Sequence, residues 1–302
     1  MFRPRDSHDL RVLDARLTIS PTGEVRWIHD VFSNSIALIT FADPAAELRF
    51  ESEIEIEHYG LHDPEWMLRE YAEGYPFRYD NDQIVDLMPM LQCHYPDPEG
   101  AVRAWALQFL DAGERTATPD LLLRITRAIK AQFVYESRAI HGTQAPAETL
   151  QLGSGTCRDY ALFMIEAVRS LGLAARFVTG YLYDPALDGA GDALTGAGAT
   201  HAWVQVYLPG AGWVEYDPTN GLVGGTNLIR VAVARDPKQA IPLQGSYAGE
   251  AGDFLDMQVE VRVTPPSRRR ADGRRSVCLQ GSGATICLDQ GPRSRPPAQG
   301  RG

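Results

Sequence analysis

Three side chains in this chain are of the types that carry out nucleophilic chemistry together. Cys157 stands in Gly153-Ser154-Gly155-Thr156-Cys157-Arg158-Asp159-Tyr160, His201 in Thr200-His201-Ala202-Trp203, and Asp217 in Glu215-Tyr216-Asp217-Pro218. A thiolate can attack a carbonyl carbon, an imidazole can move the proton, and a carboxylate can orient the imidazole and stabilise its cationic form. Each residue alone also has a plain structural reading. An isolated Cys is more often buried and inert, a strand His is more often a surface or hydrogen-bonded residue, and an Asp before Pro is as readily a turn cap. In this order, on the elements described next, the catalytic reading outweighs the structural one.

Those elements are one helix and two strands. Thr156 is a good N-cap and Asp159 follows three residues later, which resembles a capping box. The buried stripe would be Tyr160, Phe163, Met164, Ala167, Val168 and Leu171, with Leu171-Gly172-Leu173 as the stop. Cys157 then occupies the first helical position. The positive end of the helix dipole favours a thiolate there, and unpaired backbone N–H groups can cradle an oxyanion. Gly153 and Gly155 are expected to let substrate approach the backbone. In the strand 201–208, alternation puts His201, Trp203, Gln205 and Tyr207 on one amphipathic face, and Ala202, Val204, Val206 and Leu208 on the core face. Pro209-Gly210-Ala211-Gly212 is a hairpin turn, so strand 212–217 should run antiparallel to it and bring Asp217 within a few rungs of His201.

Weaker candidates surround these. Arg158 and Asp159 are expected to serve the cap or a salt bridge, Tyr181 and Trp203 to line a pocket or the core, and Gln151 to be a loop residue rather than an oxyanion donor. Cys93-His94 has no second ligand pair at metal spacing, so neither metal nor cofactor is expected. Cys278 and Cys287 read as incidental.

The rest of the chain frames the site. Residues 1–60 alternate in short strands (15–20, 25–28, 35–41, 48–57) and form a small N-terminal β module. Asp63-Pro64-Glu65, Asp97-Pro98-Glu99 and Thr118-Pro119-Asp120 each open a helix, the first through about Ala72, the second over about 98–111, and the third with Leu122, Ile125, Ile129 and Phe133 at helical spacing. Strands return at 176–183, 201–208, 212–217, 228–234 and 257–263, giving a core over 61–265. Residues 266–302, rich in Arg, Pro, Gly and Ser, read as a disordered tail. The net charge is −10; eight Arg and two Asp make the tail +6 and leave −16 on the remainder. An acidic body argues against a nucleic-acid partner and suits a peptide or protein substrate. The N-terminus has no signal-peptide pattern and no stretch is long and apolar enough to span a bilayer, so a cytoplasmic protein with no membrane partner and four free thiols is expected.

Gly153-Ser-Gly-Thr-Cys-Arg-Asp-Tyr-Ala, the strand Ala174 to Tyr183, Thr200-His-Ala-Trp-Val and Glu215-Tyr-Asp-Pro-Thr closely resemble bacterial transglutaminase-like cysteine proteins. The resemblance covers about 1–265. It implies an α+β fold with a papain-like, transglutaminase-like core, the nucleophile helix packed on an antiparallel sheet behind an N-terminal β domain. It further implies thiol acyl transfer by Cys157, His201 and Asp217, through a thioester passed to water (a peptidase or amidase) or to an amine (a transglutaminase). No calcium-ligand loop is seen. Such proteins usually carry a further strand region before the Arg-Pro-Arg stretch, so either a truncated chain or a misassigned start is expected at Met1, at the edge of the β module.

Overall fold

The computed structural model describes residues 1–288 apart from 60–66, 114, 137–141, 185, 187–193, 197, 226, 251 and 265–275; over 276–288 it describes the backbone alone. The chain opens with β1 (Leu10–Ser20), β2 (Glu24–His29), β3 (Ser35–Thr40) and β4 (Glu47–His58). β1 pairs antiparallel with β4, from Leu10 opposite His58 to Ser20 opposite Arg49, and β2 pairs with β3 as a separate hairpin. Along β4, Phe50, Ile54 and Ile56 are buried while Glu53 and Glu55 are exposed, the period-two pattern of a sheet with one wet face.

A 3-10 turn over 70–72 and the two-residue strand β5 (Gly74–Tyr75) lead into α1 (Asn81–Leu91), α2 (Ala101–Leu107), β6 (Thr116–Ala117), α3 (Thr118–Gln132), β7 (Val134–Tyr135), α4 (Pro146–Leu152) and β8 (Ser154–Gly155). The helix expected from Asp63 to about Ala72 falls partly on 60–66, outside the described residues; over the rest, 67–69 are not helical and only the 3-10 turn at 70–72 forms. The helix expected over 98–111 is shorter, because Gly100 takes the N-cap in a left-handed conformation and the chain turns after Leu107.

α5 (Cys157–Ser170) packs on a five-stranded sheet of order β12-β11-β10-β9-β13, made of β9 (Ala175–Leu182), β10 (Thr200–Leu208), β11 (Gly212–Asp217), β12 (Leu222–Val223) and β13 (Leu228–Ala234). Every neighbouring pair is antiparallel. Tyr160, Phe163, Met164 and Val168 of α5 share one core with Phe177 and Val204 of the sheet and with Leu121, Ile125 and Ile129 of α3. Each such side chain contributes roughly 1.5–3 kcal/mol on burial, which makes α5 the best-anchored helix of the chain. Its far end is tied by a buried ion pair, Arg169 Nη1 to Glu166 Oε1 at 2.8 Å. Arg169 also donates to the carbonyls of Met90, Ala175 and Arg235.

The His201 strand differs from expectation. Both of its faces are buried. Ala202, Val204, Val206 and Leu208 meet α5, whereas Trp203 lies in a second cluster with Val178, Leu182 and Leu228, packed by Phe32 next to the β2–β3 hairpin. The face expected to be amphipathic and turned to substrate is thus largely buried, with His201 held by Asp217 and Gln205 by Arg176.

The chain closes with β14 (Phe254–Thr264) and β15 (Ser276–Leu288), which complete a sheet of order β1-β4-β15-β14. The span expected as a structureless tail therefore contains a strand over 276–288, in two short apolar stretches (Val277 to Leu279, Ile286 to Leu288) that composition had averaged away; 266–275 and 289–302 lie outside the described residues. Leu10, Ile54 and Ile56 of the N-terminal strands meet Tyr181, Ile229 and Val231 of the core sheet and Val261 and Val263 of β14 in one apolar cluster, so the two sheets are packed together. Among the described residues, no helix is long and apolar enough to cross a membrane.

Candidate active site

Cys157 is the first residue of α5, with Thr156 as N-cap. The cap is made by Asp159, whose Oδ2 accepts from Thr156 N and from Thr156 Oγ1, both at 2.8 Å. Its Oδ1 accepts from Gln144 N at 2.7 Å, so one buried carboxylate holds the helix start and the preceding loop. Gly155 is needed for that approach, since a Cβ there would come within 2.9 Å of Asp159 Cβ. Gly153 ends α4 in a left-handed conformation. Both glycines thus have structural work beyond the substrate clearance expected of them.

His201 faces Gly180 across β9 and β10. On the other side Val204 faces Tyr216, which puts Asp217 one position further along β11, near enough for a direct contact. His201 Nε2 and Asp217 Oδ2 are 2.9 Å apart and both side chains are fully buried. Asp217 is held by three further donations, Asn220 Nδ2 to Oδ2 at 2.8 Å and Thr219 N and Asn220 N to Oδ1 at 2.9 and 3.3 Å. Burial alone would raise the Asp217 pKa; the charge and hydrogen bond of His201, with the Asn220 bonds, reverse it and hold the carboxyl below its ordinary value. Burial would likewise lower the His201 pKa, but the Asp217 charge and hydrogen bond, with a smaller contribution from Cys157, raise it to about 10. The pair therefore favours carboxylate and imidazolium.

The second ring nitrogen, Nδ1, is buried without a strict hydrogen-bond partner and is the one left to face Cys157, whose side chain interacts with the imidazole. The chain before β10 passes close to this nitrogen: a Cβ on Gly196 would lie 2.7 Å from Nδ1, and Gly196 has φ +93°. Only glycine fits both conditions. The imidazole also stacks on Trp203, with ring centroids 5.9 Å apart.

Cys157 and His201 open on a cavity of about 450 Å³, within the usual range for a small-ligand site. Its far wall comes from the β module and β14. A backbone bond from Val261 N to Gly198 O, 3.1 Å long, ties β14 to the segment leading into His201.

Of the weaker sequence candidates, Tyr181 lines the cavity, Trp203 is core beneath His201, and Gln151 is exposed on α4 and does not line it. Arg158 borders the cavity but is held at its guanidinium, donating to the carbonyls of Pro237 at 2.7 Å and Ala240 at 3.4 Å and lying over Phe177. Tyr135 was missed by sequence reasoning. β7 and β8 pair in parallel with Tyr135 opposite Gly155, which brings the phenol to hydrogen-bond distance of the Cys157 side chain and edge-on to Tyr160. Burial, then the charge and hydrogen bond of Cys157, push the phenol up to about 12, so it remains a donor. A two-residue parallel ladder leaves no periodicity to read; the only sequence signal was an aromatic just after a helix end.

Residues 104–218 match the family model described as the transglutaminase-like superfamily, and residues 1–57 match that of the bacterial transglutaminase-like N-terminal region. The chain thus carries a transglutaminase-like core domain and, ahead of it, a bacterial transglutaminase-like N-terminal region. An uncharacterised Mycobacterium leprae protein is 33% identical over 135 residues, 44% of this chain and 45% of that protein. An uncharacterised Mycobacterium tuberculosis protein is 28% identical over 273 residues, 85% of this chain and 84% of its own length. The chain thus spans under half of the first relative and most of the second. A solved structure from Cytophaga hutchinsonii, described as a "putative cysteine protease", has a TM-score of 0.55 at 21% identity and covers 80% of this chain and 76% of that one; the likeness is one of fold.

Proposed function

We propose that the protein is a thiol-dependent hydrolase of peptide-like amides, working through Cys157, His201 and Asp217. The observation that carries the reading is the fully buried His201–Asp217 pair, 2.9 Å apart, with the other imidazole nitrogen left for a thiol at a helix N-terminus. A buried charged pair of this kind costs desolvation unless something uses it.

The steps follow from the groups present. The Cys157 thiolate attacks the amide carbonyl carbon, and the carbonyl electrons move to oxygen. First-turn N–H groups of α5, which have no partner within the helix, and the Tyr135 hydroxyl are the donors within reach of that charge. His201 then gives its proton to the departing nitrogen, the C–N bond breaks, and a thioester remains on Cys157. Neutral His201 takes a proton from water, the hydroxyl oxygen bonds to the carbonyl carbon, and the C–S bond breaks to restore the thiolate. Asp217 stays ionised throughout and steadies the imidazolium.

Peptide-library cleavage by the wild type and by Cys157→Ala tests this. Cleavage that is independent of added amine and lost in Cys157→Ala is expected. Incorporation of a labelled amine with release of ammonia would instead make it a transglutaminase, and turnover by neither route would leave a peptide-binding module.

A further inference from the structure

The cavity beside Cys157 is built from two separate parts of the molecule. Tyr181 comes from the core sheet and Ile241 and Leu243 from the segment after β13, while Phe50 comes from β4 and Met257 and Val259 from β14. Met257 and Val259 line the same cavity as Cys157 and His201. Among the described residues, the two cations that border the space have partners of their own. Arg158 is committed to the Pro237 and Ala240 carbonyls and to Phe177, and Lys238 lies over the Tyr95 ring at 5.6 Å. Glu260 is paired with Arg262. The lining thus offers apolar surface and little free charge.

From this we infer that the substrate carries a bulky apolar side chain, aliphatic or aromatic, on the residue whose carbonyl Cys157 attacks, and that the β module, with β14 of the same sheet, supplies one wall of that pocket. The inference rests on the hydrolase reading above. The acyl half stays joined to Cys157 until water arrives, so it is the half an enclosed space next to the sulfur should hold, whereas the amine half must leave. A Leu or Phe side chain fits about 450 Å³ with room for the flanking backbone. The hydroxyls of Ser52, Thr143, Thr156 and Thr200 also border the space, but a glutamine side chain would cover less of the apolar wall than Leu or Phe and so gain less from burial there. The β module is then a specificity element rather than an appendage.

The test measures binding to full-length Cys157→Ala protein, so it needs no turnover. N-acetyl-leucinamide and N-acetyl-phenylalaninamide should bind at least about tenfold more tightly than N-acetyl-glutaminamide or N-acetyl-aspartamide, a ratio set by burial of one apolar side chain. Adding Val259→Glu should abolish the preference. Val259 is 48% exposed, so that change should leave the melting temperature close to the parent's. Ile241→Asp, at a second partly exposed position, should do the same. Equal or tighter binding of the polar amides, no saturable binding of the apolar ones, or a preference untouched by both substitutions would overturn the inference. Failure of the hydrolase reading looks different: the amide preference would be present, yet no peptide would be turned over in a Cys157-dependent way.

Discussion

Replacing Asp217 with Asn keeps the shape of the site and removes its charge. Asp217 now accepts four hydrogen bonds, two from backbone N–H groups and two from side chains. The amide oxygen can keep the backbone donors on Oδ1, but its NH2 group then confronts the His201 N–H and the Asn220 NH2. Two donors face a third, and a buried imidazolium loses its counter-ion. His201, raised to about 10 in the wild type, falls toward its ordinary 6.5, because burial is then opposed only by the smaller contribution of Cys157. At about 1.4 kcal/mol per pKa unit, the imidazolium loses a few kcal/mol of stabilisation, so kcat/KM should drop by about 10²–10⁴-fold. Stability should change with pH in a set direction. The raised His201 contributes fully below about pH 6.5, and that contribution is lost as pH rises through about 10; the lowered Asp217 contributes above its ordinary 3.8, and that contribution is lost on acidification. The wild-type advantage over Asp217→Asn should therefore be largest between about pH 4 and 6.5 and shrink steadily to about pH 10. Urea unfolding of both proteins at pH 5.5, 7.5 and 9.5 reads this directly. An advantage that is flat or grows with pH would refute the reasoning.

Other substitutions probe separate parts of the site. Tyr135→Phe removes one donor to the sulfur and should lower kcat about tenfold with KM little changed, measured by steady-state kinetics. Gly196→Ala forces a side chain within 2.7 Å of His201 Nδ1 at a positive φ, so activity should fall at least about tenfold while the His201–Asp217 contact survives, as an NMR spectrum of the imidazole would report. Arg169→Met strands Glu166 in the core without its partner and should cost about 3–5 kcal/mol in denaturant unfolding, far from the reacting atoms.

Much of the site was legible because its parts sit on strongly patterned elements. α5 announces itself by its cap and its apolar stripe, and the hairpin joining β10 to β11 by its glycines, so Cys157, His201 and Asp217 could be placed near one another before any register was known. What was hidden depends on long-range pairing or on weak local signal. α1 carries Pro89 inside it, and α4 is only seven residues long between Pro146 and Gly153, so neither shows a helical period. Tyr135 reaches the sulfur through a two-residue parallel ladder. β14 was visible as a strand, but its place beside the cavity follows from packing across more than two hundred residues of sequence. The double burial of β10 was missed because polar side chains there are satisfied by neighbours no alternation pattern names, such as Arg176 on Gln205.

Alkylation of the thiol tests most directly whether Cys157 is the nucleophile that His201 and Asp217 serve. At pH 7 iodoacetamide should modify Cys157 faster than a free model thiol, and Asp217→Asn should remove that advantage. A Cys157 rate equal to the model thiol's, unchanged by Asp217→Asn, would contradict the account.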